Sequence, residues 1–182
     1  MTISIEFTSP TKITFADKLD HYSYFIRSTI REYVHFATNL IKERAPAGLT
    51  VLDYEVAPKN IFKITCCKIE DICIVIITDI SFAMSSLRYM INELMKIPAD
   101  TMSETILNEF IKTHQDPKTF DNIVKIKDQL SDVHTVMLKN IDEILKRGEL
   151  LTDLVEKSHQ LSINAKAFQK QAKKMNSCCA IL

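Results

Sequence analysis

The chain has 182 residues, of which 46% are hydrophobic and 25% charged, and its 23 basic side chains are balanced by 23 acidic ones. This is the composition of an ordinary folded protein, and the zero net charge argues against a nucleic-acid partner. The odd number of cysteines, five, does not suit a disulfide framework. The first residues lack the basic and apolar regions of a signal peptide, so we expect a protein of the reducing, cytosolic compartment.

The first part of the chain has the pattern of a hairpin followed by a helix. Apolar residues alternate with polar ones over residues 3–7 and again over residues 13–15, which predicts a hairpin with one buried face. Between residues 21 and 45 apolar residues recur every three or four positions. This spacing predicts a helix, and Pro46 and Gly48 indicate that it ends there.

Three strands are predicted next, over residues 50–56, 60–67 and 71–78. The third is apolar on both faces, so we expect it to lie in the centre of a sheet. A helix is predicted near residues 81–96 from its apolar stripe.

A further helix and a linker complete the predicted domain. Thr101 and Glu104 have the spacing of a capping box and predict the start of that helix. The element order ββαβββαα describes an α+β domain, which we place over residues 1–116. Pro117 cannot lie inside a helix, so residues 117–122 are expected to form a linker.

A sustained heptad pattern follows, because the chain has no proline after Pro117 and only one glycine, Gly148. Positions spaced alternately by three and four are apolar at thirteen of sixteen places, whereas composition alone would give about seven. As a helix, this seam over residues 123–175 would be about 80 Å long. The seam positions are Ile123, Ile126, Leu130, Val133, Met137, Asn140, Ile144, Arg147, Leu151, Leu154, Ser158, Leu161, Ala165, Phe168, Ala172 and Met175.

Arg147 lies near the middle of the seam, where two interpretations are open. Its long side chain could reach out to water and merely tolerate the position. Alternatively, it could form a buried polar layer that fixes the register of several helices, provided that partner helices supply acceptors. Further apolar residues flank the seam and widen its face, which suits a bundle of more than two helices. The partners are then other chains or the chain's own domain.

The last five residues, Cys178-Cys179-Ala180-Ile181-Leu182, have the form of a prenylation signal. Cys179 is the expected prenyl site, and the final leucine favours geranylgeranyl over farnesyl. One lipid chain gives only marginal binding, so Cys178 is expected to carry palmitate or a second prenyl group. No apolar run approaches the roughly 18 residues that span a bilayer, so membrane attachment is expected to come from lipid.

Residue patterns for catalysis are weak. The chain has no G-x-x-x-x-G-K-[ST] phosphate-binding loop, and His134 and His159 do not have metal-ligand spacing. Cys66, Cys67 and Cys73 fall in predicted strands and are interpreted as core thiols. We therefore expect no enzymatic activity, no catalytic residue, no metal, no cofactor beyond covalent lipid, and no small-molecule substrate.

The segment from Asn140 to Ser158, NIDEILKRGELLTDLVEKS, resembles the R-SNARE motif of the prenylated longin-domain SNAREs, synaptobrevin-like v-SNAREs without a transmembrane segment. The double-cysteine ending over residues 176–182 resembles the tail of that family, although methionine is the family's usual last residue. Residues 24–44 are similar to the first helix of its longin domain, and ββαβββαα is the longin order. The resemblance therefore implies a longin (profilin-like) domain followed by an R-SNARE coiled coil over residues 123–175.

The resemblance also implies a function and partners. Arg147 would form the central layer of a four-helix bundle with three glutamines, one from each of three Q-SNARE helices, and the bundle would drive vesicle fusion in ER–Golgi and related transport. A prenyltransferase would modify the tail. The chain would cycle between the cytosol and the cytoplasmic face of endomembranes, namely Golgi, ER and endosome or vacuole.

A soluble pool would expose the seam to water, which is an aggregation hazard. We therefore expect the SNARE segment to fold back over the longin domain in the monomer, with Phe25 and Phe36 as candidate groove contacts. Each of these two rings is equally well interpreted as an ordinary core side chain. An alternative function is that of a lipid-anchored coiled-coil trafficking adaptor or tether that does not fuse membranes.

Overall fold

The computed structural model describes residues 1–57, 60–115, 134–168 and 170. Its centre is a six-stranded sheet. The strands are β1 (Thr2–Thr8), β2 (Ile13–Asp17), β3 (Gly48–Ala57), β4 (Asn60–Ile69), β5 (Ile72–Asp79) and β6 (Thr135–Met137). They lie in the order β2-β1-β5-β4-β3-β6, with the first five antiparallel to their neighbours and β6 parallel to β3.

The helices cover both faces of this sheet. They are α1 (Tyr24–Arg44), α2 (Met84–Met95), α3 (Glu104–Thr113) and α4 (Leu151–Lys157), with a single 3-10 turn at Ile141–Ile144. Residues 163–168 are also helical. In the described ranges, no helix combines the length and apolarity needed to cross a bilayer.

The sheet separates two apolar clusters, because successive side chains of a strand point to opposite faces. On one face, Ile64, Cys66 and Ile77 pack with α1. On the other face, Cys67 and Ile76 pack with α2 and α3. This arrangement confirms the α+β class, and β5 lies between β1 and β4 as its two apolar faces predict.

The predicted strands and helices of the first 115 residues are confirmed, with a correction to the first hairpin. The prediction of one buried face is wrong, because β1 lies between β2 and β5 and is buried on both faces. In β2, Thr14 and Ala16 are buried while Ile13 is 63% exposed. A short strand at the sheet edge gives too few residues for periodicity to identify its buried face.

The predicted capping box at Thr101 is also wrong. Ser103 is the N-cap of α3, and its Oγ accepts a hydrogen bond from the Ile106 N–H at 3.3 Å. The Thr101 hydroxyl instead donates to the Pro98 carbonyl, 2.8 Å away, in the preceding turn.

The single long helix predicted over residues 123–175 is wrong for the described part of that segment. Residues 134–168 contain a strand, a 3-10 turn and α4 in place of one continuous helix. An 80 Å helix has no partner helices in one isolated chain, so its apolar face would stay in water. The predicted linker 117–122, the tail 176–182 and the two ends of the seam lie outside the described residues.

Replacing Ser103 with alanine should lower the free energy of unfolding by about 1 kcal/mol, because α3 loses its N-cap hydrogen bond. Urea denaturation followed by circular dichroism measures this change. Thr101→Ala is the matched control and should change stability by less than about 0.5 kcal/mol, since it removes only an exposed turn contact. A larger loss for Thr101→Ala than for Ser103→Ala would contradict the N-cap assignment.

Candidate functional site

Residues 134–168, here called the docked segment, cross the edge of the sheet and then run along α1. Its first part is β6, which pairs Leu49 with Thr135 and Val51 with Met137 in parallel register. The Leu49 N–H donates to the His134 carbonyl and the Leu138 N–H donates to the Val51 carbonyl, both at 2.8 Å. The docked segment therefore extends the domain's own sheet by one strand.

The place where β6 begins requires a glycine on the domain side. Gly48 has a φ of +102°, and a Cβ atom at this position would lie 2.4 Å from the His134 carbonyl oxygen. Real Cβ atoms do not approach an oxygen this closely, and side chains rarely adopt this backbone conformation. The guanidinium of Arg88 adds a contact from α2, donating to the Thr135 hydroxyl at 2.6 Å.

The chain then turns towards α1 through the 3-10 turn. Asn140 caps this turn, its Oδ1 accepting from the Asp142 N–H at 2.9 Å, while the Glu143 carboxylate accepts from the Lys139 N–H at 2.8 Å. Ile141 is only 2% exposed and belongs to the apolar cluster under α1. Local polar contacts thus place one seam-flanking side chain in the core of the domain.

Arg147 lies in a β-turn between Lys146 and Glu149, and its side chain is exposed. The Glu149 N–H donates to the Lys146 carbonyl at 3.0 Å, and Gly148, the third residue of the turn, has a φ of +86°. A type II turn requires this positive φ, which glycine adopts without strain. In the docked segment the central seam arginine is therefore in solvent, outside any buried layer.

An ion pair joins this turn to the end of α1. The Arg44 guanidinium contacts both carboxylate oxygens of Glu149, one of them through Nη2 at 3.3 Å. The hydrogen bond from Arg44, with a second from the Lys146 N–H, lowers the pKa of the Glu149 carboxyl below its ordinary value. The carboxylate therefore stays ionised, and the two-point contact fixes its orientation.

After the turn, α4 and residues 158–168 pass along α1 towards its N-terminal half. Val155 is buried in the cluster that contains Phe36, which is 7% exposed. The Ser162 N–H donates to the Glu32 carboxylate at 2.7 Å, and the Tyr33 hydroxyl donates to the Ala165 carbonyl at 2.9 Å. Burial raises the pKa of the Tyr33 phenol, so it remains a donor.

Most of the described seam positions lie against the domain. Leu161 and Ala165 are buried in the α1 cluster, with four further positions packed on it. These four are Ile144, Leu151, Leu154 and Phe168. Met137, Asn140 and Arg147 are exposed, and Ser158 is half-buried. The positions outside the described residues are Ile123, Ile126, Leu130, Val133, Ala172 and Met175, and the lipidation sites Cys178 and Cys179 lie outside them as well.

The two predicted groove contacts, Phe25 and Phe36, differ in whether they are buried. Phe36 packs in the cluster shared with the docked segment, whereas Phe25 is 88% exposed, with its ring against that of Tyr24. The described segment reaches α1 from Arg44 to about Tyr33. Phe25 lies roughly two helical turns further on, so these residues do not cover it.

Several contact residues were not singled out from the sequence. Glu32 and Arg44 carry ordinary charged side chains on a helix, and nothing in the periodicity distinguishes them from solvated positions. Gly48 and Gly148 do carry a signal, because they are the only glycines in the chain. Each permits a feature of the docked segment, namely the approach of His134 and the turn at Arg147.

Comparison with known proteins identifies the family. The Synaptobrevin family model matches residues 122–180. A synaptobrevin homolog YKT6 from Debaryomyces hansenii is 31% identical, with the alignment covering 94% of this chain and 92% of the relative. The chain belongs to the synaptobrevin family. The YKT6 homologs are longin-domain R-SNAREs that lack a transmembrane segment, and this family is not enzymatic.

Two further relatives cover the chain as completely. VAMP-like protein YKT61 from Arabidopsis thaliana is 30% identical over 97% of this chain and 94% of its own length. The synaptobrevin homolog ykt6 of Schizosaccharomyces pombe is 32% identical over 91% of this chain and 89% of its own length. The similarity therefore includes the longin domain as well as the SNARE motif, which implies SNARE proteins as partners in general.

Replacing Gly148 with alanine should weaken docking, because alanine at a φ of +86° is strained by about 1–2 kcal/mol. This corresponds to roughly a fivefold to thirtyfold larger open fraction. Among the described residues, apart from its chain neighbours, no atom lies within 4 Å of the added Cβ, so steric overlap with them does not contribute. Hydrogen exchange of residues 134–168, compared with residues 1–115, measures the change.

Gly148→Asn is the matched control, because asparagine tolerates the third position of a type II turn. We expect its exchange pattern to stay close to that of the unmodified chain. Equal acceleration by alanine and asparagine would show that backbone strain at this position does not govern docking.

The Arg44–Glu149 pair predicts a pH dependence. The pKa of Glu149 is lowered in the docked form, so the pair contributes above the ordinary carboxyl pKa of about 4.3. This contribution is lost as the pH falls through the lowered value. Glu149→Gln should therefore reduce docking at neutral pH and match the unmodified chain at strongly acidic pH.

NMR amide signals of residues 151–165, followed against pH, report the docked fraction. Glu156→Gln is the control, since the pKa of Glu156 is lowered by an exposed contact with Lys170, just past the end of the docked segment, rather than by the domain. A pH-independent difference between Glu149→Gln and the unmodified chain would contradict the role of this ion pair.

Proposed function

We propose that this chain is an R-SNARE that drives intracellular vesicle fusion by forming a four-helix bundle with three Q-SNARE helices. The observation that carries the proposal is the match of residues 122–180 to the Synaptobrevin family, over the same stretch as the heptad seam. A wide apolar face on one helix suits a bundle of more than two helices. Arg147 lies at the centre of that seam.

Docking and bundle formation compete for the same side chains. Leu154, Leu161 and Ala165 pack on the α1 side of the longin domain, and all three occupy seam positions. A side chain cannot pack on α1 and on partner helices at once, so partners bind only after the segment leaves the domain. The longin domain is accordingly an autoinhibitory partner, and the docked form is the closed state of the chain.

The position of Arg147 suits a role in the four-helix bundle and none in the docked form. In the docked form its side chain is in solvent and contributes little to closure. In a four-helix bundle it would be surrounded by apolar seam neighbours, where its five N–H donors need acceptors. Three glutamine side-chain oxygens, one from each partner helix, would provide them without a counter-charge.

The lipid anchor belongs to the same proposal. Cys179 would carry the prenyl group added by a prenyltransferase, and Cys178 palmitate or a second prenyl group. Two lipids give stable attachment where one does not, so removing palmitate from Cys178 would return the chain to the cytosol. The closed state suits that cytosolic pool, and the lipidated state belongs on the cytoplasmic face of Golgi, ER and endosomal or vacuolar membranes.

Zippering would transmit force to this anchor. The last seam residue, Met175, is separated from Cys178 by two residues only. A bundle that forms from the Ile123 end towards Met175 therefore draws the anchored membrane towards the partners' membrane. Its burial energy opposes the repulsion between the bilayers.

Arg147→Leu tests the central layer. The stability of the closed monomer should change by less than about 0.5 kcal/mol, because the side chain is exposed there. Assembly with three Q-SNARE helices should lose register, giving a detergent-resistant complex with altered stoichiometry or lower yield. Size-exclusion chromatography with light scattering measures the composition of the complex.

Lys146→Leu is the matched control, because Lys146 is exposed in the same turn but lies outside the seam. It should leave the complex unchanged. If Arg147→Leu assembles as the unmodified chain does, the layer assignment is wrong. A homodimeric coiled coil in the same experiment would favour the adaptor or tether function.

A long flexible spacer inserted after Met175 tests force transmission. Assembly should be preserved, because the seam is intact, whereas fusion of vesicles bearing the lipidated chain with vesicles bearing the Q-SNARE helices should fall. Lipid-mixing and content-mixing assays measure fusion. A rigid helical insert of equal length is the control for length alone, and unchanged fusion with the flexible spacer would overturn the mechanism.

A further inference from the structure

Two cysteines lie side by side on adjacent strands beneath α1. Cys66 on β4 is opposite Val75, and Cys73 on β5 is opposite Lys68, so the two cysteines are diagonal neighbours. Their Sγ atoms are 3.8 Å apart, within hydrogen-bond distance for sulfur. Cys66 is fully buried, while Cys73 is partly accessible. One thiol thus belongs to a half-buried residue, and the other belongs to a fully buried residue beside it.

Two lysines surround the accessible thiol. Lys68, opposite Cys73 on β4, donates to the Ala45 carbonyl at 2.6 Å, and Lys42 of α1 is paired with Glu6 at 2.6 Å. The hydrogen bond with Cys66, together with these two positive charges, lowers the pKa of the Cys73 thiol despite its burial and the opposing negative charge of Glu6. The same contact and burial raise the pKa of the Cys66 thiol. Of the two thiols, Cys73 therefore loses its proton more readily than Cys66.

The third cysteine of the domain differs in position and chemistry. Cys67 points to the other face of the sheet, where it packs in the cluster under α2 and α3. Burial raises the pKa of its thiol to about 11. It is an inert core thiol, and it is the natural control for its two neighbours.

We propose that Cys66 and Cys73 form a dithiol site that reacts with peroxide-class oxidants and closes to a reversible disulfide within the β4–β5 hairpin. This site lies outside the SNARE segment, and the proposal does not depend on the proposed function. It stands on the juxtaposition of two sulfurs 3.8 Å apart, one in a half-buried residue opposite Lys68 and the other in a fully buried residue.

The reaction balances with one peroxide for each disulfide. The Cys73 thiolate attacks one peroxide oxygen, the O–O bond breaks, and after protonation one water leaves while Cys73 becomes a sulfenic acid. The Cys66 sulfur then attacks the Cys73 sulfur, the S–O bond breaks, and the hydroxyl leaves as a second water with the Cys66 proton. Two thiols are oxidised to one disulfide, and the peroxide is reduced to two waters.

Disulfide closure requires both side chains and backbone to move. Sulfur atoms in a disulfide are about 2.0 Å apart, so these two must approach by roughly 1.8 Å. Diagonal neighbours on antiparallel strands have Cα atoms about 7–8 Å apart, which is slightly more than a disulfide usually spans, so the two strands must also draw together locally. A reductant of the dithiol class would restore both thiols by exchange.

Peptide mapping of the full chain tests the site. The reduced protein is treated with hydrogen peroxide, remaining thiols are alkylated at acidic pH, and the monomer is digested with trypsin. Cleavage after Lys63, Lys68 and Arg88 places Cys66 and Cys73 in separate peptides, 64–68 and 69–88. We expect a linked species that lacks two hydrogen atoms relative to the sum of the peptides and that disappears on treatment with dithiothreitol.

Three variants identify which cysteine reacts with peroxide and which two cysteines form the disulfide. In Cys67→Ser each peptide contains one cysteine, so a persistent link can only join Cys66 to Cys73. In Cys66→Ser the link should be lost and a Cys73 sulfenic acid should be trapped by dimedone. In Cys73→Ser neither product should form. Fragment spectra of the unmodified chain's linked peptide identify the bonded sulfurs without any substitution.

Two outcomes would overturn the proposal. In the first, the peroxide-treated chain yields no linked peptide, for example because only Cys178 and Cys179 are oxidised. In the second, the link survives in Cys66→Ser, which would assign it to Cys67. Circular dichroism of each variant confirms that the hairpin is folded before oxidation.

Discussion

The structure depends on one constraint, which is that the apolar seam of the C-terminal segment must be covered. Six described seam positions pack on the α1 cluster of the longin domain. Full burial of a large apolar side chain is favourable by roughly 1.5–3 kcal/mol, at about 25 cal/mol per Å² of apolar surface removed from water. The domain is one surface that can cover the seam, and a set of partner helices is the alternative. Because the proposed bundle would use the same side chains as docking, closure and assembly would exclude each other.

The path of the docked segment over the domain is determined by backbone conformation and hydrogen bonding as much as by apolar contacts. A continuous helix would present its seam along a straight line, whereas the domain offers a sheet edge followed by a helix at another angle. The segment therefore breaks into β6, a 3-10 turn and α4, with changes of direction between them. The chain has only two glycines, and both lie where this path needs them. Gly48 admits the His134 carbonyl, and Gly148 forms the turn beside Arg147.

Sequence periodicity predicted the strands and helices of the domain well, because each of them buries its apolar face inside the domain itself. The helix over residues 24–44 and the three long strands follow from local spacing, and β5 was placed centrally from its two apolar faces. The docked segment could not be predicted in this way. Its heptad pattern fits the helix that the proposed bundle requires, whereas its path in the monomer is set by tertiary contacts such as Arg44 with Glu149. Those contacts join residues 105 positions apart, which no local pattern reports.

Three consecutive residues show how one sequence serves two structures. Arg147 is in solvent in the closed form, so its charge costs nothing there, and only in the proposed bundle would it enter a buried layer. Gly148 disfavours a helix by about 1 kcal/mol relative to alanine and favours the turn, so it shifts the equilibrium towards the closed form and would destabilise the proposed bundle. Glu149 holds the turn on α1 through Arg44, yet on a bundle it would lie beside the central layer and outside the seam. Each residue shifts the balance by an amount that partner helices can exceed. In the proposed function, small shifts of this kind would let partner helices open a closed state that is otherwise stabilised by the buried seam.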